Sequence, residues 1–310
     1  FKCPPRAERW SEPDVRDLSA AEAFRGGDSG AFLYFQHMRK AGGTAICDLA
    51  KRNMPPHQVP RHYCMPDVRG AMATPPWSLR EHLLAELRSK RLRMTANEWD
   101  ALPRSQLTLP GAVFLTSLRH PLDRWYSQYR FEHLEHRDGE CMAASKQMVF
   151  TKWYPNFARD SQGNNYYVKT FCGAENPTPT DLEKIKDKKG AVRYTKDLLW
   201  SWRKFKSWGK EVKWDDFLFA IDALRRFHLV LITELMDDGH PMIEEVLGWR
   251  QPPKLVRPHE KMAHRKKGEA PSLAREGLTL DEWNLLADGN AFDLLFYHYA
   301  RRIYLERRAC

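Results

Sequence analysis

Apolar positions fall into short runs separated by polar and proline-rich stretches, and the runs differ in spacing. Residues 31–36 and Ala112 to Leu118 are continuous apolar segments of strand length, the pattern of strands buried on both faces of a parallel sheet. His228 to Thr233 reads the same way, and Leu92 to Glu98 reads as a shorter strand. Elsewhere the spacing is helical. Ser78 to Arg91 sets Leu79, Leu83, Leu84 and Leu87 on one stripe with Ser78 as N-cap. Asp216 to Phe227 is amphipathic, Met242 to Leu247 is helical up to Gly248, and a long helix runs from Thr279 towards Arg308 with a break at Gly289. Twice a buried strand passes through a basic turn directly into a helix, once after residue 36 and once after Leu118. Strand, turn and helix repeated in this order predict an α/β fold, a doubly wound and mainly parallel central sheet flanked by helices.

Residues 1–30, polar and rich in Pro, Gly and Asp, are expected to be an N-terminal arm, with residues 31–310 a single domain. Residues 54–76 read as a proline-rich loop, and residues 137–160 and 173–215 as an irregular middle rich in aromatics and lysines.

The two strand-to-helix turns carry the candidate chemistry. The first reads His37-Met38-Arg39-Lys40-Ala41-Gly42-Gly43-Thr44-Ala45. Glycines let a backbone close around an anion, and a helix N-terminus offers unpaired N–H groups and partial positive charge. Lys40 adds a full charge and Thr44 a hydroxyl. The segment lacks the Gly-x-x-x-x-Gly-Lys-Ser/Thr of a Walker A loop, which demotes an ATP- or GTP-using kinase to a lesser alternative. The second turn carries Arg119, Pro121, Arg124 and Ser127. Arginine presents a planar fork suited to phosphate, and serine a compact donor. Ligands of open α/β sheets lie at the carboxyl ends of strands, where both turns fall.

Charge agrees with an anionic ligand. The 310 residues carry a formal net charge of +10, against an ordinary 42% hydrophobic and 29% charged composition. The basic residues are scattered and no nucleic-acid motif is present, so nucleic acid is not the expected partner. No apolar run approaches the ~20 residues that span a bilayer, so no membrane contact is expected of this chain. It opens on Phe1 and reads as a piece of a longer protein. Its six cysteines (Cys3, Cys47, Cys64, Cys141, Cys172, Cys310) show no C-x-x-C spacing, so no metal site is expected, while disulfides stay open. No Asn-x-Ser/Thr sequon has an allowed middle residue, since Asn176 precedes Pro177.

Together, Lys40-Ala41-Gly42-Gly43-Thr44 and the Arg119-x-Pro121-x-x-Arg124-x-x-Ser127 segment resemble the signature pair of sulfotransferases that use 3′-phosphoadenosine 5′-phosphosulfate, PAPS. The resemblance is strongest to the branch containing heparan sulfate 6-O- and 2-O-sulfotransferases, which share the His-x-x-Lys approach of His37 and Lys40. His120 stands where the usual aspartate lies. The resemblance extends to Thr233-Glu234 after a late strand and to Phe296-Tyr297-x-Tyr299-Ala300 in the closing helix. It implies a P-loop-like sulfotransferase fold and the release of adenosine 3′,5′-bisphosphate, with no metal required. Arg39, Lys40, Ala41, Gly42, Gly43, Thr44 and Ala45 would hold the 5′-phosphosulfate, with Lys40 also catalytic. Arg119 and Ser127 would take the 3′-phosphate, while Arg124 either joins them or anchors its helix. Thr233 would lie beside the adenine, and Arg265 and Lys266 in a basic loop over the donor.

The resemblance also bears on the acceptor. The branch favours a carbohydrate hydroxyl, and the positive charge suits an acidic polysaccharide; a tyrosyl peptide or a small-molecule hydroxyl is the alternative. A non-catalytic anion-binding protein is a further alternative. Asn164, Asn165 and Tyr166 would contact the acceptor, although Gly163-Asn164-Asn165 is equally good turn chemistry. Trp200, Trp202, Trp208 and Trp214 are either core residues or platforms for an acceptor. In that branch a histidine at the end of an earlier strand is the general base; the corresponding Thr95-Ala96-Asn97-Glu98-Trp99 has none. Glu98 is the chemically sensible substitute, with His82, Asp48 and His62 as further candidates. By resemblance the compartment is the Golgi lumen, with the cytoplasm as alternative.

Overall fold

The structure is a computed structural model, and it describes residues 14–28, 30–61, 64–65, 80–98, 101–102, 107–133, 148–158, 163–172, 211–253 and 278–309. Four strands, β1 (Phe32–Gln36), β2 (Met94–Asn97), β3 (Ala112–Leu118) and β4 (Leu229–Ile232), form one sheet in the order β2-β1-β3-β4. Every pairing is parallel, and every residue of the four strands is buried. That burial explains the continuous apolar runs: with helices on both sides neither face needs polar side chains. Gln36 stands opposite Asn97 on one side and Thr116 on the other, so the carboxyl ends of β1, β2 and β3 lie at one level. The chain leaves β1 for β2 on one side, then returns to place β3 on the other. This reversal puts a crevice at the carboxyl edge between β1 and β3, the place where open α/β sheets commonly take ligands.

Helices α2 (Gly43–Asn53), α3 (Arg80–Ser89) and α4 (Pro121–His133) follow the expected order. The supposed N-terminal arm differs from expectation. Within it, α1 (Leu18–Arg25) packs on β3 and on α8 (His240–Leu247). Ala20, Ala21 and Phe24 form its buried stripe, too small a signal to stand out in a polar segment. Arg93 closes the joint, its guanidinium 4.8 Å from the Phe24 ring centroid and donating to the Phe24 and Ala31 carbonyls. His228 adds a second tie: its Nδ1 accepts from the Phe114 N–H at 3.0 Å and its Nε2 lies 2.7 Å from the Asp17 carbonyl.

Two helices come from stretches without a helical expectation, α5 (Phe150–Phe157) and α6 (Tyr166–Phe171). Aromatic packing accounts for α5: Phe150, Trp153 and Tyr154 join Trp125, Tyr129 and Leu286 in a second core. The main core lies about the sheet, where α7 (Trp214–Arg225) meets α6 and α10 (Ala291–Ala309). The long closing helix is divided where expected, α9 (Leu280–Gly289) ending at Gly289 with Asn290 as its C-cap, and α10 beginning at Ala291. Gly289 is packed so closely that a Cβ there would collide with Asn164 and Tyr154. Asn290 leaves the helix (φ −123°) and accepts from the Trp125 indole at 2.9 Å.

Cys47, Cys64 and Cys172 carry free thiols. His62, Ser78, Trp200, Trp202, Trp208, Arg265 and Lys266 lie outside the described residues, as do Cys3, Cys141 and Cys310.

Candidate functional site

The turn after β1 is built from two left-handed residues, Lys40 at φ 62° and Gly42 at φ 83°. Gly42 adopts this conformation freely, whereas in Lys40 it costs on the order of 1 kcal/mol and must be imposed from outside. The fixing bonds converge on the loop. Ala41 N donates to the Met38 carbonyl at 3.2 Å, and the Ala41 carbonyl accepts from Ser117 Oγ at 2.7 Å and Thr233 Oγ1 at 3.0 Å. Tyr166 Oη accepts from Arg39 N at 3.2 Å. A hydroxyl on β3 and another just after β4 thus hold the loop.

Gly42 then caps α2, whose first N–H groups have no preceding turn to accept them. Thr44 is exposed on that first turn, with Asp48 exposed one turn further along. Gly43 has a different task from its neighbour. A Cβ at this position would fall inside the His37 imidazole, so the missing side chain makes room for a ring rather than for a ligand. His37 is stacked on Phe35 with ring centroids 5.1 Å apart. Burial, aided by the Arg39 cation and opposed by Glu98, pushes its pKa below the ordinary value, so the ring is neutral. Its Nδ1 has no hydrogen-bond partner among the described residues.

The cradle's basic side chains reach across to α4. Lys40 Nζ rests 4.1 Å from the Phe131 ring centroid, and Arg39 pairs with Glu132 at 3.5 Å. Phe131 lies one helical turn beyond Ser127, so the Lys40 ammonium is held on the flank of α4 that also carries buried Ser127. Ahead of α4, Arg119 is clamped through its main chain. Tyr167 Oη accepts from Arg119 N at 3.1 Å and donates to the Arg119 carbonyl at 2.7 Å. His120 N donates to Glu234 at 2.7 Å, and the other Glu234 oxygen accepts from Tyr297 at 3.1 Å.

Arg124 is an anchor. It is fully buried, with its guanidinium 4.7 Å from the Tyr166 ring centroid, 5.4 Å from Trp125 and 6.0 Å from Tyr167. Burial lowers its pKa from the ordinary arginine value, and the neighbouring Tyr167, Tyr166 and Asp293 partly offset this.

Thr233, expected beside an adenine, shares its hydroxyl between the carbonyls of Ala41 and Leu118, both at 3.0 Å. Asn164, Asn165 and Tyr166 are engaged within the protein. Tyr154 donates to Asn164 at 3.0 Å, Asn165 Oδ1 accepts from Asp293 N at 3.2 Å, and Tyr166 is buried against the cradle. Asn165 is left-handed at φ 54°, the turn conformation that an Asn-Asn pair tolerates. Glu98 follows β2 directly, beside the end of β1, where His37 N donates to the Asn97 carbonyl at 3.0 Å. It is half-buried, and its charge opposes the lowering of the His37 pKa by burial. His82 is on the first turn of α3, with its side chain outside the described residues.

Two basic turns, a half-buried carboxylate and a hydroxyl-bearing helix N-terminus therefore meet at one edge of the sheet. Such an arrangement can hold a ligand with two anionic ends and take a proton beside it. No protein-family model matches the chain, and no curated protein matches its sequence. Among the described residues no group of three or more His, Cys, Asp and Glu side chains gathers as a metal site, and no helix is long and apolar enough to cross a membrane. The sequence reading missed Ser117, Tyr167 and Asp293. For Ser117 a signal existed, a hydroxyl inside an otherwise apolar strand.

Proposed function

We propose that this protein is a PAPS-dependent sulfotransferase with a P-loop-like sulfotransferase fold, acting on an acceptor hydroxyl of a carbohydrate. One observation carries the reading: the Lys40 loop and the Arg119 turn follow adjacent strands, β1 and β3, and flank the point where the strand order reverses. A single extended bis-anionic nucleotide suits that crevice. The donor set fits such a group, with first-turn N–H groups of α2, Lys40 and Thr44 on one side and Arg119 and Ser127 on the other.

When bound, PAPS supplies the sulfuryl group and leaves as adenosine 3′,5′-bisphosphate. The protein's part is to hold charge and to move a proton. The Lys40 ammonium and the α2 N-terminus favour negative charge at the cradle, and positive groups already in place stabilise developing charge without reorganising. Glu98 is the base that accepts the hydroxyl proton from the acceptor; it is half-buried and directly follows β2. The net charge of +10 favours an acidic polysaccharide over a neutral acceptor, with tyrosyl peptides and small alcohols as the competing classes.

Incubation with sulfur-labelled PAPS and a panel of glycans, tyrosyl peptides and small alcohols tests the reading. Label is expected on acidic glycan hydroxyls. Absence of transfer to every class, with no binding of the nucleotide, would overturn it.

A further inference from the structure

Consecutive tyrosines at the start of α6 each hold one of the two turns. We propose that Tyr166 and Tyr167 are positioning residues that fix the spacing between the cradle and the Arg119 turn, and thereby select nucleotides carrying a 3′-phosphate together with a 5′-anion. The inference rests on the reading of the crevice as a PAPS site and adds the element that measures the ligand.

The geometry assigns one phenol to each turn. Tyr166 Oη accepts from Arg39 N at 3.2 Å, while Tyr167 Oη bonds both the N–H and the carbonyl of Arg119, at 3.1 Å and 2.7 Å. Neighbouring Cα atoms are held ~3.8 Å apart by the peptide bond, so the two turns cannot separate without breaking a phenol contact or moving α6. Both rings are buried, at 1% and 0% exposure, and the Arg124 guanidinium lies against both.

A helix of six residues cannot fix its own position, and α6 does not. Its first turn is locked to the start of α10 by reciprocal capping. The N–H groups of Tyr167 and Val168 each donate to the Asp293 carboxylate at 2.9 Å. In return, Asn165 Oδ1 accepts from Asp293 N at 3.2 Å, while Asn165 N donates to Asn290 Oδ1 at 3.0 Å. Each helix thus satisfies the open N–H groups of the other, and Asn290 extends the lock to α4 through Trp125. Burial raises both phenols above the ordinary tyrosine value, so each keeps its proton at neutral pH.

Phenylalanine keeps the ring and removes only the hydroxyl, which separates positioning from core filling. Calorimetric titrations of Tyr166→Phe and Tyr167→Phe compare adenosine 3′,5′-bisphosphate with adenosine 5′-monophosphate. Tyr167→Phe should weaken the bisphosphate ~3- to 10-fold and leave the monophosphate unchanged, the size expected for one or two hydrogen bonds. Tyr166→Phe should weaken both nucleotides alike. Asp293→Asn, which leaves both phenols in place but loosens α6, should lower the bisphosphate preference in the same direction and covers the case in which a tyrosine variant does not fold. Wild-type affinities in both tyrosine variants, or equal loss of both nucleotides in Tyr167→Phe, would overturn the inference. A wild-type protein that binds neither nucleotide would instead sink the reading of the crevice itself.

Discussion

The Thr233 hydroxyl lies 3.0 Å from the Ala41 carbonyl, joining the end of β4 to the middle of the cradle across the intervening strand. Ser117 on that intervening strand donates to the same carbonyl. Two hydroxyls on one acceptor are what hold Ala41 between a left-handed lysine and a left-handed glycine. Thr233→Val keeps the side-chain shape and removes one of them. It should lower stability by about 1 kcal/mol in urea unfolding and weaken nucleotide binding. Unchanged values in both assays would mean the loop is held by other means.

Gly43 and His37 make a paired prediction. Gly43→Ala drives a methyl group into the imidazole and should cost about 1–3 kcal/mol. Adding His37→Ala should restore part of that loss, since the ring that creates the clash is gone. Additive losses in the double variant would show that Gly43 is constrained by its backbone rather than by His37.

Lys40 separates stability from activity. Its left-handed backbone is strained, so Lys40→Gly should leave the fold as stable as wild type or up to about 1 kcal/mol more stable. The same change removes the ammonium and should lower sulfuryl transfer by about 100-fold or more. A variant that kept wild-type turnover would remove Lys40 from the charge-stabilising role.

Acid should weaken the protein between neutrality and pH 5. His37 and His228 are buried and neutral, with folded pKa values below the ordinary ~6.5. The unfolded chain binds their protons first, so their contribution is complete above the unfolded pKa and declines as pH falls towards the folded values. Asp293 acts in the opposite sense. Burial pushes it up to about 6, so its contribution is present at low pH and is lost as pH rises from about 4 through 6. His228→Gln should flatten the acid-side decline in urea unfolding measured from pH 7.5 to 5.5. An unaltered slope would assign the decline elsewhere.

The sheet was legible because burial on both faces leaves no other pattern for β1 and β3, and both basic turns sit where those strands end. What could not be read was long-range reciprocity. Tyr166 reads as an acceptor contact and Tyr167 carries no local signal, and it is their contacts with Arg39 and Arg119 that connect them to the cradle and the turn. Asp293 is 126 residues from its Tyr167 partner, and no local spacing announces that two helices cap each other. The α1 helix was hidden for a simpler reason: Ala20, Ala21 and Phe24 are its whole buried face. Gly42 and Gly43 looked alike in sequence, yet one serves backbone conformation and the other the room for His37.

The most direct test maps hydrogen exchange of the whole chain with and without adenosine 3′,5′-bisphosphate. Protection should rise together in two segments, one around Lys40 to Ala45 and one around Arg119 to Ser127, with half-saturation at the same nucleotide concentration. Protection confined to one of them, or found in neither, would contradict a single ligand held between the ends of β1 and β3.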